Sequence, residues 1–525
     1  MTCYKCFQLT LNSPGPYLSY IKKLSKGWPH LEWLADYMEV GTTPVKWRYL
    51  TKEHIEERVE RTRVAVLEFS QSGDPLVRED IHNSQELRQR LYGQRPGQTN
   101  LEADPAYARL FIVEDLSRDV IEALGAKYDI DPLYFRSQIS DFLWYKTKDP
   151  WVELQDLPHI AAERNYYNVR YMSARYFETE KAIEDGKEQL GHFNVLRRLE
   201  EDLSWHVREL RKPNGPTVGV LRSKTALWIR KNKTAGEGVI GILVVDPELS
   251  AGYPLWGGPR NLQPCPSMNE DISQLKHPQS LFEELCHYAK IMTPEEVSFI
   301  AEVPRTLGLP ILSLVAAEWM SVVSYIITGL TNIEWELEHP YYRKASDGLT
   351  GLLDRLHPLR RLIPVYRMMI CETLNTILNK DSLPKANDNP ASTHLGKLRS
   401  DFETILQSIE HLQTRTQNII SLATTIIGVE ENQRAMKMNK NLVRVTYLAV
   451  IFAPMAFISS FFSMTPDLGT LKETFWIYVA VALPVTVTCL IIADHNRLLK
   501  HGKRFLGIEN KEKRNEEGNE KKRVS

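Results

Sequence analysis

Two apolar segments near the C-terminal end constrain this chain more than any other feature. The first runs from about Val443 to Ser463 and the second from about Thr474 to Ala493. Each approaches the roughly 20 mostly apolar residues that cross a bilayer's hydrocarbon core. Neither carries an acid or base near its middle; Arg444 stands at the entrance of one and Asp494 at the exit of the other. Pro454 and Pro484 fall inside them, where a soluble helix would suffer and a membrane helix does not. The pattern predicts transmembrane helices over 443–463 and 474–493, joined by a short external loop, 464–473.

Flanking charge sets the orientation of such a hairpin. The stretch ENQRAMKMNKNLVR before the first span holds four bases and one acid, and the tail from Asp494 to Ser525 holds ten bases and six acids. The loop MTPDLGTLKE has one base, Lys472. Both termini are therefore expected in the cytosol, in an integral, multi-pass protein of the lipid bilayer. The opening MTCYKCFQLTLNSPG has neither a secretory nor a mitochondrial targeting profile. The plasma membrane is the expected location, rather than an organelle.

A third apolar run, 309–330, competes for the membrane. Glu318 sits near its centre, where a charge costs about 2.5–3.5 kcal/mol on insertion scales. This run is expected to be a buried helix of the cytosolic part. Upstream of the first span, Leu398, Phe402, Ile405, Ile409, Leu412, Thr416, Ile419, Ala423 and Ile426 recur at alternating spacings of four and three, a heptad seam. Such a seam packs either on its own domain or, as a coiled coil, on other subunits. Because it feeds straight into a membrane span, a multi-subunit stalk is expected over 397–442.

The rest reads as an α+β membrane protein with a cytosolic α/β/α domain. TRVAVLEF, ARLFIVE, TVGVLR and VIGILVV are strand-like, Ser117 caps a helix that Gly125 ends, and 70–98 is rich in turn formers and charge. The expected organisation is an α/β domain over 1–280 with a long loop near 70–105, and a helical region over 281–396. The stalk and hairpin follow, then a charged tail, 494–525, expected to be disordered. Bases number 65 and acids 66, so composition makes no case for nucleic acid as a partner. Cys3 and Cys6 form a CxxC without the second pair a zinc site needs. No phosphate-binding loop, HExxH or GxSxG motif occurs, so the chain is not expected to be an enzyme.

The hairpin resembles that of the CorA family of divalent-cation channels. In that family the first span has a proline, then Leu-Thr-Phe-Ile, and ends in Gly-Met-Asn. Here Pro454 is followed by Met455-Ala456-Phe457-Ile458, and Ser463-Met464-Thr465 fall where Gly-Met-Asn would stand, a degenerate form of the motif. FIVEDLSRDVIEALGAKYDIDPLYF and GILVVDP also look like the large, divergent CorA-like proteins of filamentous fungi. The resemblance implies a homopentamer that passes divalent cations of the Mg²⁺ type, with no cofactor beyond the transported or regulatory cation. It further implies that the first span lines the pore and the second packs outside it. Leu442, Val445, Ala449, Ala453, Ala456, Ser460 and Ser463 share one face of the first span. Apolar below and hydroxylic above, that face suits a hydrophobic gate beneath a polar mouth; small residues also serve ordinary helix packing. Asp467 and Glu473 in the loop would form rings that concentrate cations. In the family the Asn is thought to meet a hydrated cation, and Mg²⁺ keeps its waters. Thr465 offers a shorter hydroxyl there. The alternative to a channel is a transport-inactive relative serving as a membrane-anchored scaffold or receptor.

Overall fold

The computed structural model describes residues 15–40, 51–70, 77–92, 107–139, 157–195, 197–201, 216–231, 238–262, 265, 267–268, 280–339, 348–379, 390–463 and 471–493. The chain divides into two units, Met1–Ser421 and Leu422–Ser525. In chain order the elements are α1 (Pro16–Leu24), α2 (Glu32–Val40), α3 (Lys52–Glu60), β1 (Val64–Phe69), β2 (Val77–Ile81), α4 (Ser84–Tyr92), β3 (Ala108–Glu114), α5 (Arg118–Tyr128) and α6 (Pro132–Gln138). There follow α7 (Pro158–Glu163), β4 (Tyr166–Phe177), α8 (Glu180–His192), β5 (Arg198–Glu201), β6 (Thr217–Lys231), β7 (Val239–Val245) and β8 (Tyr253–Pro254). The helices α9 (Leu281–Ile291), α10 (Pro294–Phe299), α11 (Leu309–Glu338), α12 (Gly348–Thr376), α13 (Pro390–Phe462) and α14 (Leu471–Ala493) complete the order.

One sheet organises the first unit, in the order β2-β1-β3-β7-β6-β4-β8, with β5 also paired to β6. The β3–β7 pair is parallel and the other pairs are antiparallel. Side chains alternate across a strand, and here both faces are covered. Phe111 and Val113 of β3, with Ile240, Ile242 and Val244 of β7, join a core with α1, α2, α5 and α6. On the opposite face Leu110, Leu227 and Leu307 converge on Gly241, and α11 and α12 pack on β4. A strand buried on both sides has no polar face to show. That is why VIGILVV reads as an unbroken apolar run and why all seven of its residues are buried. The result is three layers, α/β/α.

The predicted long loop near 70–105 is partly regular. It contains β2, paired antiparallel to β1, and α4. The segment VREDI looks unlike a strand because it is the exposed edge, and charge on an edge blunts further pairing. A second difference concerns Gly125. The helix capped by Ser117, which accepts from the Val120 N–H, runs on to Tyr128 and ends at Asp129 with φ 52°. Gly125 is an interior residue, and the Tyr17 ring of α1 lies against it. The apolar run 309–330 lies within α11, where Trp319 is fully buried and meets the ring of Tyr366 from α12.

The heptad seam requires a larger correction. From Leu398 to Ile419 its residues are already buried within the single chain, Phe402, Ile405 and Ile409 completely. Ion pairs from α13 flank it, Arg415 to Glu334 of α11 and Arg367 to Glu410 across α12 and α13. Helices that pack at shallow angles present the same spacing whether the neighbour belongs to one chain or two. Over these residues the seam is intrachain packing, and no open coiled-coil stripe is left there for another subunit.

Candidate functional site

The second unit contains the end of α13 and α14. Pro454 lies inside α13 and Pro484 inside α14, yet each helix continues through its proline. A proline removes one backbone N–H donor from the helix ladder. The Tyr478 hydroxyl of α14 donates to the Met455 carbonyl of α13 at 3.3 Å, next to Pro454. Thr486 of α14 closes a local bond to the Ala482 carbonyl at 2.7 Å. The least exposed residues of α14 include Tyr478, Ala482, Thr486 and Cys489, which recur at spacings of four and three and so form one face. On α13 the least exposed include Tyr447, Ile451, Met455 and Ile458, again one face.

Beyond that face, α14 and the last turns of α13 present largely apolar, uncovered surface. Leu448, Phe452 and Phe457 of α13, with Trp476, Leu483 and Ile491 of α14, are all more than half exposed. α11 and α13 are both long and apolar enough to span a membrane, but the apolar window of α11 is 61% buried and that of α13 only 6%. The first is a core helix that has found its apolar neighbours within the chain. The second needs lipid or further protein, because contiguous exposed apolar surface of this extent is rare in water.

Residues 304–493 match the family model described as CorA-like Mg²⁺ transporter protein. This segment is a CorA-like domain. It starts at the 3₁₀ turn Pro304–Gly308 and ends with the last residue of α14, so it includes both the buried α11 and the exposed hairpin. No curated protein matches the chain. Among solved structures it is similar to the CorA magnesium transporter from Methanocaldococcus jannaschii, at 11% identity over 82% of this chain and 96% of that one, with a TM-score of 0.36. It is also similar to the full-length CmaX protein, at 11% identity over 83% of this chain and 98% of that one, with a TM-score of 0.31.

Within the CorA-like domain, the predicted pore face divides cleanly from the packed face. Leu442, Val445, Ala449, Ala453, Ala456 and Ser460 are all exposed. Ser463 is exposed just beyond the last residue of α13, and its N–H donates to the Ser459 carbonyl at 3.0 Å. Met464, Thr465 and Asp467 lie outside the described residues, as do Cys3, Cys6 and the tail 494–525. Glu473 falls in the first turn of α14, outside the described side chains. Among the described residues no group of three or more His, Cys, Asp or Glu is placed to hold a metal ion.

A second polar site lies beneath α11 in the first unit. A cavity of about 80 Å³ is lined by Tyr171 and Arg175 of β4, Asp246 and Glu248 after β7, Glu284 of α9 and Glu318 of α11. Arg197 pairs with Asp246 at 2.7 Å and Arg260 with Glu284 at 2.6 Å. Burial raises the Glu248 carboxyl above its usual range, against the opposing pull of Arg63 and Arg175. Burial also pushes Glu318 up to about 7, with only Arg175 opposing it. The clue at the sequence level is a single acid inside an apolar helix; its neighbours come from strands and loops far away in the chain.

Proposed function

We propose that the chain is a subunit of a membrane metal-ion channel of the CorA type, passing divalent cations of the Mg²⁺ class down the membrane potential without a cofactor. The observation that carries this reading is the exposed small-residue face of α13 within a segment that matches the transporter family. α14 has its own packed face, and Ala449, Ala453, Ala456 and Ser460 stay free to line a path around a symmetry axis. In a homopentamer five such faces would enclose the pore, and α14 would stand between them and lipid. The positive flanks favour cytosolic termini, with the loop outside, and the plasma membrane is the proposed location.

A second reading is favoured by one specific feature, the degenerate Ser463-Met464-Thr465. A relative that has lost conduction would keep the hairpin and the α/β/α unit as a membrane-anchored scaffold. Reconstituted liposomes with a Mg²⁺-sensitive dye inside and a negative interior potential separate the two readings. Uptake that depends on potential, and that other divalent cations compete for, is the expected result. Intact oligomers that pass no divalent cation under any potential would overturn the channel reading.

A further inference from the structure

Glu318 is the one acid in the apolar run 309–330. It lies in the N-terminal third of α11, where the neighbouring residues Val315, Ala317 and Trp319 are buried. Its side chain is only half-buried and lines the cavity under that helix. Among the described residues it has no hydrogen-bond partner; Arg175 acts on it only through space.

The other charged groups at this cavity are held to different degrees. Asp246 is held by Arg197 through bonds of 2.7 Å, and Glu284 by Arg260 through bonds of 2.6 to 3.2 Å. The Glu248 carboxyl feels Arg63 and Arg175 only through space, while its backbone N–H donates to Glu114, which in turn pairs with Arg63. The Arg175 guanidinium spends its terminal nitrogen on the carbonyls of Leu249, Ala251 and Gly252, while its Nε is buried without a partner. Tyr171 presents a hydroxyl that burial holds firmly neutral. Of the four carboxyls at the cavity, Asp246 and Glu284 have arginines of their own, while Glu248 and Glu318 feel Arg175 through space, across a volume large enough for a few waters. In that setting an ionised Glu318 lacks both a counter-ion in contact and a donor, and such a group lowers its free energy by taking up a proton.

We propose that Glu318 is a proton-binding switch beneath α11: with the proton on, the helix sits neutral on β4, and with it off, the charge draws water into the cavity and weakens that packing. The device acts at the junction where the CorA-like domain begins, so it reports cytosolic acidity to the helix that joins the sheet to the rest of the domain. It does not depend on whether the protein conducts ions.

The sign of the effect follows from linkage. The folded chain keeps a proton on Glu318 up to about neutrality, whereas the unfolded chain loses it near pH 4.3, the ordinary value for Glu. Over that interval the folded state binds more protons, so stability falls as pH rises and levels off above neutral pH. Thermal unfolding of the full-length protein in detergent, from pH 5 to 8.5, tests this against Glu318→Gln. The amide is neutral at every pH, so the advantage of the variant over the wild type should be smallest at pH 5. It should grow through pH 7 and then stay constant. Infrared difference spectra give a second reading: a protonated-carboxyl band that bleaches near neutral pH in the wild type and is missing from Glu318→Gln. A wild-type–variant difference that is flat with pH would overturn the proposal. Should the amide variant not fold, Glu318→Asp takes its place, and an infrared band that keeps both its midpoint and its frequency in that variant would overturn it equally.

Discussion

Gly125 carries its conformational role through a contact. A Cβ added there would stand 2.4 Å from Cε1 of the Tyr17 ring, too close for any real pair of atoms. The ring cannot swing aside cheaply, since its hydroxyl donates to the Ile130 carbonyl at 2.6 Å and its edge meets Phe135 with centroids 6.0 Å apart. Helix propensity alone would favour alanine over an interior glycine by up to about 1 kcal/mol. Overpacking a fixed neighbour costs about 1–3 kcal/mol, and the overpacking should win. Gly125→Ala is therefore expected to lower the unfolding midpoint, and Gly125→Ala in a Tyr17→Ala background should lower it less than in the wild type. A stabilised single variant would show that the α1–α5 contact yields easily.

At the scale of elements, legibility follows the environment on both sides. β7 and the apolar cores of β1, β3 and the start of β6 can be read from the sequence, because strands covered on both faces carry near-continuous apolar runs. β2 is hidden by its edge charges and β4 by its mixture of Tyr, Arg and Asn, which half-faces the cavity and half-faces helices. The α11 segment is legible as a core helix chiefly through Glu318, with Ser and Thr diluting the rest of the run. The seam on α13 is legible as a packing stripe, but its partner is not, because 3.5-residue periodicity carries no address. Its intrachain partner sets an expectation. Phe402→Ala should destabilise the chain by about 3–5 kcal/mol, the usual cost for a large buried aromatic. The oligomeric state of the folded protein, read by light scattering in detergent, should stay unchanged. A variant that dissociates at constant chain stability would return the seam to the subunit interface.

For the whole molecule, the two units carry opposite relations between composition and cover. In the first, apolar residues are matched by apolar neighbours; in the second, Phe452, Phe457 and Trp476 stay exposed, so the environment has to supply what the fold does not. Assembly around an axis would leave one face of α13 toward a central path, and the chemistry at its outer end would decide what passes. A hydrated Mg²⁺ is wide and exchanges its waters reluctantly, so a long amide reaches those waters better than the Thr465 hydroxyl. Replacing Ser463 by glycine adds backbone freedom at the helix end. Thr465→Asn combined with Ser463→Gly is thus expected to raise Mg²⁺ uptake, or Mg²⁺ block of another cation, above the wild type in the liposome assay. Asp467→Ala should lower cation flux, and more so in dilute buffer, since salt screens an exposed ring of charge over about 10 Å at 0.1 M. These effects separate a pore mouth from a plain loop: a tethering hairpin would show neither the gain nor the salt-dependent loss. If both substitutions leave every divalent flux unchanged in a properly assembled oligomer, the scaffold reading takes the place of the channel.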